Sequence, residues 1–133
     1  MCVLPRSHPL AERAQLTFAD LEGQPFISLC HGDGTRALVD GLFEQAGVER
    51  VMAVEAQYSA INCEMVALGM GITLAHPLVA KDYRHRDIVI RPFRPDILFP
   101  TYVIWPSAPT RTRLAEEFVD TLKVYYQDAV DTA

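Results

Sequence analysis

The stretch FISLCHGDGTRALVDGLFEQAGVERVMAVEAQYSAINCEMVALGMGITLAHP, residues 26–77, decides the fold. It opens on an apolar run at 26–29 that reads as a buried strand. A glycine-rich turn at 31–36 then leads into a helix. Leu38, Val39, Leu42, Phe43 and Ala46 recur at helical spacing there, with Asp40, Glu44 and Gln45 on the other side. Gly47 closes that helix as a left-handed cap. Residues 51–55 read as a second strand. Residues 59–68 form a second helix with Ile61, Met65 and Leu68 on its apolar side, stopped by Gly69. Residues 71–75 make a third strand that breaks at His76-Pro77. Strands alternating with helices, with connections too long for hairpins, imply a parallel or mostly parallel sheet covered by helices.

Outward from this block, residues 2–4 are short and apolar, and Pro5 and Pro9 hold an extended segment around His8. A helical turn over 18–21 follows, with Thr17 a cap and Gly23 a stop. On the other side come a short helix at 78–82 and a strand at 87–91. Pro92, Pro95 and Pro100 then mark a linker, and a strand is expected at 102–105. A last helix over 112–127 is expected to bury Leu114, Phe118, Leu122, Tyr125 and Tyr126.

Composition narrows the function classes. Half of the 133 residues are hydrophobic and 22% are charged, which suits a folded domain and is too apolar for disorder. A net charge of −5 gives no basic footprint for neutralising phosphates, so direct nucleic-acid binding by this chain is not expected. No apolar run spans a bilayer and no signal pattern opens the chain, which reads as cytoplasmic with no membrane partner. Cys2, Cys30 and Cys63 form no CxxC pair and read as free thiols. His8, His31, His76 and His85 show no paired ligand spacing, so neither a metal nor a cofactor is assigned.

Ligands of open α/β sheets bind beyond the carboxyl ends of the strands, where helix N-termini point. Three segments qualify. In the first, the backbone of His31, Gly32 and Gly34 suits a carboxylate or phosphate, with Thr35 adding a hydroxyl and Arg36 a charged donor. The competing account is that Asp33 simply caps the helix and the glycines simply make the turn. In the second, Gln57, Tyr58, Ser59 and Ala60 open a helix, yet Ser59 is equally an ordinary cap and Tyr58 a packing residue. In the third, His76 faces the same cleft or merely ends a strand. No GxSxG elbow, P-loop or strand-borne GxGxxG is present, and no carboxylate pair is placed beside both a histidine and a nucleophile. Binding without chemistry is the simpler account.

The order of these pieces resembles a known family. LPRSHPLA (4–11) followed by LTFADLEGQPFISL (16–29), then TRALVDGLFEQAGVE (35–49) and VEAQYSAINCEMVALGMGITLAHP (54–77), resembles the sensor domain of LysR-type transcriptional regulators. The likeness runs over nearly the whole chain. It implies a fold like the type 2 periplasmic binding proteins, with a mostly parallel sheet flanked by helices and an effector held between two lobes. Carried over, residues 1–92 are lobe two with its hinge strands, and 93–133 return to lobe one as a strand and helix. The N-terminal winged helix-turn-helix, the linker helix and half of lobe one have no counterpart here, so the chain is expected to be a fragment that meets DNA only through the absent segment. The resemblance adds Asn62 as a polar effector contact and implies a small-molecule effector, a carboxylate or amino acid. It stands closer to the branch sensing opines and basic amino acids.

As a fragment, the chain is also expected to self-associate as a homodimer or higher oligomer. Either the helix at 36–46 with the strand at 51–55, or exchange of the C-terminal segment, would supply the contact. The alternatives are a fragment of a periplasmic-type solute-binding protein, which shares the fold, and an enzyme such as a prephenate-dehydratase-like protein.

Overall fold

The computed structural model describes residues 1–99, 101–105 and 112–131, the last four by backbone alone. The chain folds as two compact units, Met1–Leu98 and Phe99–Ala133.

In the first unit, β1 (Cys2–Pro5) is buried throughout. It pairs antiparallel with β5 (Thr73–Leu74) on one side and β6 (Ile88–Arg91) on the other. β3 (Pro25–Leu29) pairs parallel with β4 (Val51–Ala56). A single parallel bridge, Phe26 to Ile72, joins the two groups, so the sheet reads β4-β3-β5-β1-β6. The backbone bonds at that seam are Ile27 N–H to Ile72 O at 2.8 Å and Ile72 N–H to Pro25 O at 2.9 Å. The Thr73 hydroxyl also donates to Ile27 O at 2.7 Å. With β1 antiparallel to both neighbours, the other strands of this sheet all run one way. The mostly parallel sheet expected from the alternation is present, and β1 is the exception. A separate short parallel pair joins β2 (Leu16–Thr17) to β7 (Phe93–Arg94).

The helices arise where the sequence places them. α1 (Gly34–Ala46) ends at Gly47, whose φ of 65° is the left-handed cap. α2 (Ser59–Ala67) and α3 (Pro77–Asp82) follow β4 and β5. One face of the sheet buries Val3, Ile27 and Ile88 against Cys63 and Val66 of α2 and Ala80 of α3. Another cluster joins Phe18, Phe26, Phe43 and Phe93 edge to face, with centroids 4.9–5.5 Å apart. Phe93 thereby packs with the first unit. The turn at Phe18–Leu21 is 3-10, and the carboxylate of Asp20 accepts from both the N–H and the hydroxyl of Thr17. His8 is extended as expected, but Pro9 immediately opens a second 3-10 turn, Pro9–Glu12.

In the second unit, α4 (Arg113–Asp131) forms where a helix was expected. Its stripe is not buried: Leu114, Phe118, Leu122 and Tyr125 are exposed and Tyr126 is half-buried, whereas Val119 is buried. The strand expected at 102–105 is absent too. An apolar run becomes a strand only by pairing its backbone with a neighbour, and Tyr102, Val103 and Ile104 stand exposed with no such pairing among the described residues. Of the expected linker prolines, Pro100 lies outside the described residues.

Candidate functional site

Because β3, β4 and β5 run parallel, their carboxyl ends and the starts of α1, α2 and α3 share one edge of the sheet. The three segments singled out from the sequence are therefore neighbours in space. They are not chemically alike.

At the first, Asp33 is the N-cap of α1, and its Oδ1 accepts from Thr35 N–H at 2.7 Å and Arg36 N–H at 3.1 Å. The capping account of this turn is what the structure shows, and the chain's own carboxylate occupies those amides. Gly32 has a φ of 91°, which a side chain would oppose, whereas Gly34 already lies in α1. Arg36, only 6% exposed, lies inward rather than toward solvent. Its Nη1 donates to Leu29 O at 2.8 Å and to Glu55 Oε1 at 2.6 Å, and its Nε donates to Asp40 Oδ2 at 2.6 Å. The charged donor that the sequence offered to a ligand is thus engaged internally. Hydrogen bonding to Arg36 holds the Glu55 carboxyl below its usual range. His31, largely exposed, lies with Nδ1 3.4 Å from Glu55 Oε1. Asp40 also pairs with Arg50, which stacks over Phe26 and Phe43 at 5.0 and 4.4 Å from the ring centroids. Burial pushes the Arg50 guanidinium down to about 10.

The second segment is different. Tyr58 is the N-cap of α2 and supplies no side-chain hydrogen bond to it. Gln57 and Tyr58 are exposed, while Ser59 and Ala60 are half-buried. Ser59 is the first helical residue and not the cap. At the third, His76 caps α3 by accepting Leu78 N–H at its Nδ1 at 3.2 Å, and desolvation lowers its pKa.

Between the ends of β3 and β5 lies a cavity of about 10 Å³, walled by Ser28, Thr35, Arg36, Asn62 and Thr73 among others. Three of the sequence-derived candidates meet here: Thr35, Arg36 and Asn62. His31, Gly32, Gly34, Gln57, Tyr58, Ser59, Ala60 and His76 do not line it. Ser28 and Thr73 were missed, although a buried hydroxyl inside an otherwise apolar strand is a readable signal. Asn62 is 2% exposed, and its Oδ1 has no hydrogen-bond partner among the described residues. A groove of about 180 Å³ elsewhere in the first unit is lined by Met1, Pro77, Phe93, Arg94 and Asp96.

Among the described residues, no group of three or more His, Cys, Asp or Glu side chains suits a metal ion. No described helix is long and apolar enough to cross a membrane. Cys2 and Cys63 are buried free thiols, pushed up to about 12 and about 11 by desolvation, and Cys30 is a half-buried one.

Against known proteins, a family profile described as the LysR substrate binding domain matches residues 1–126. The chain is 39% identical over 118 residues to the transcriptional activator protein LysR of Escherichia coli K12, covering 89% of this chain and 38% of that protein. It is 28% identical over 127 residues to the regulatory protein NocR of Agrobacterium tumefaciens T37, covering 92% and 42%. The chain thus spans about two fifths of the length of these relatives, which are regulators and not enzymes. Among solved structures, it superposes with a TM-score of 0.70 on the Synechocystis PCC6803 CcmR regulatory domain in complex with 2-PG. Identity there is 20%, covering 93% of this chain and 61% of that one. It superposes equally, with a TM-score of 0.70 and 16% identity, on the effector binding domain of QuiR in complex with shikimate, covering 96% and 60%. These likenesses show the fold, the α/β architecture of the type 2 periplasmic binding proteins. With its profile, its relatives and its fold in agreement, this chain belongs to the LysR substrate-binding domain family.

Proposed function

We propose that the chain is the effector-binding and oligomerisation domain of a LysR-type transcription regulator, sensing a small carboxylate or amino acid. In this reading the effector sits against the helix starts at His31–Arg36 and Gln57–Ala60, with Asn62 and His76 beside it. Residues 1–92 serve as lobe two with its hinge and 93–133 as part of lobe one. The observation that carries it is the convergence of three helix starts on one sheet edge, one of them, α2, without a side-chain cap. DNA contact belongs to a winged helix-turn-helix outside these residues, in keeping with the net charge of −5. Regulators of this kind work in the cytoplasm as oligomers, and that is the setting proposed here. The family match leaves the solute-binding-protein alternative unfavoured.

A thermal-shift screen of amino acids and small carboxylates tests the reading, because a ligand that binds the folded state raises its melting temperature by mass action. Thr35→Ala and Ser59→Ala are expected to diminish the shift of whichever ligand scores. Undiminished shifts in both variants would move the pocket elsewhere.

A further inference from the structure

We propose that His8-Pro9-Leu10 and His76-Pro77-Leu78 form one acid-sensitive clasp on β1, each holding the turn at one end of the strand only while its imidazole Nδ1 carries no proton. The clasp is independent of where an effector sits. Its two halves are the same local structure. Each histidine is extended, with φ and ψ of −71° and 137° at His8 and −61° and 139° at His76. A proline then opens the turn, Pro9–Glu12 in one case and α3 in the other. In both, Nδ1 accepts the amide of the leucine two residues on, Leu10 or Leu78, at 3.2 Å. The halves flank one strand. His8 donates its own amide to Pro5 O, at the end of β1, at 3.0 Å, and Ala75, just before His76, donates to Met1 O, just ahead of β1, at 3.0 Å.

A ring nitrogen that accepts a hydrogen bond holds no proton, so each neutral ring carries its proton on Nε2. A second proton goes to Nδ1 and turns the acceptor into a donor facing another N–H. The cap is then lost and replaced by repulsion. The other two histidines of the chain are built the opposite way. His85 Nδ1 stands 2.9 Å from Asp82 O, which only accepts, and His31 Nδ1 stands 3.4 Å from Glu55 Oε1. Protonation leaves both of those contacts in place. Acid therefore acts selectively on the two His-Pro-Leu segments.

The surrounding charges do little to offset that loss. The Met1 ammonium, which donates to Ala75 O at 3.1 Å, opposes a second charge on the His76 ring. Lys81 and Arg84, in α3 and just beyond it, are cations as well. Carboxylates on the neighbouring elements are engaged elsewhere: Glu64 with Arg86, Asp96 with Arg94, Asp87 with Arg6 and Asp20 with Arg13. Arg91 of β6 gives its Nε and Nη2 to Ala11 O, in the turn after His8. Glu12 and Asp82, on the capped turns themselves, are exposed, where water and salt screen them.

Nitrogen-15 spectra of the histidine rings, with deuterium exchange of the chain's amides, test the clasp. At about pH 7.5, His8 and His76 are expected to carry their proton on Nε2 and His85 on Nδ1. On acidification to about pH 5, protection of the Leu10 and Leu78 amides, corrected for the pH dependence of intrinsic exchange, is expected to fall roughly fivefold, the value of one net hydrogen bond. The fall should follow protonation of the respective ring. In the double variant His8→Asn with His76→Asn, a side-chain oxygen accepts in place of each ring and does not titrate, so both amides are expected to keep their protection. A proton on Nδ1 of His8 or His76 at neutral pH, or leucine amides that stay protected once the rings are protonated, overturns the clasp. So does a loss of protection as large in the double variant as in the wild type, whether local or throughout the sheet.

Discussion

Arg36 shows how a single residue's role depends on its surroundings. Its place after a glycine-rich turn is that of an anion receptor, but Leu29 O, Asp40 and Glu55 accept from its Nε and Nη1, Nη2 stands 3.5 Å from His31 Nε2, and the side chain is buried. Arg36→Ala is therefore expected to act on stability first, lowering it by about 2–3 kcal/mol in urea unfolding through loss of buried charged hydrogen bonds. If stability is unchanged while ligand response is lost, Arg36 is a ligand contact after all. Local charge patterns were readable in advance as far as the Asp33 cap. The Arg36 network was not, because Glu55 lies 19 positions away and meets Arg36 only through the β3–β4 pairing. Titration follows from the same contacts. Glu55, with its pKa depressed, stabilises the fold above the usual carboxyl value of 4.5, and that contribution is lost as pH falls through its lower folded value. His76 is held neutral as a cap, so stability starts to fall as pH drops below its usual 6.5. His76→Asn keeps a capping side chain without a titrating ring, and is expected to flatten the stability profile between pH 7 and pH 5. A profile as steep as the wild type's would remove His76 from the account.

At the scale of elements, what the sequence made legible was periodicity. β3, α1, β4 and α2 lie within a residue or two of their expected bounds, although α2 buries Asn62, Cys63 and Val66 while Ile61 and Leu68 of its expected apolar side are exposed. Pairing was not legible. The expected third strand contracts to two paired residues, Thr73–Leu74, and the run at 102–105 never becomes a strand, since both depend on a neighbour rather than on local preference. The glycine at the head of β5 has a specific steric reason. Gly71 has a φ of 154°, and a Cβ there would stand 2.6 Å from Pro25 O, the acceptor of Ile72 N–H. Gly71→Ala is expected to lower stability in urea unfolding by at least about 2 kcal/mol, since backbone strain and a displaced bridge act together. A midpoint within error of the wild type would show that β3 and β5 can part without cost.

For the whole molecule, exposed apolar surface is the dominant feature. Leu114, Phe118, Leu122 and Tyr125 stand out on α4, and Val51 and Met52 on the edge strand β4, beyond what scattered surface residues account for. Sedimentation at tens of micromolar is expected to find dimers or larger species, and Phe118→Glu or Met52→Glu to shift them toward monomer according to which face is used. A monodisperse monomer in the unmutated chain would refute self-association. The five-stranded sheet, for its part, is two leaves sewn by a few stitches: the Phe26–Ile72 bridge and the Thr73 hydroxyl. Such a fabric tears at its seam, so the Ile72 amide should trade its proton for deuterium sooner than the amides of Val3 or Leu4, and a molecule lodged beside the stitches should slow that trade.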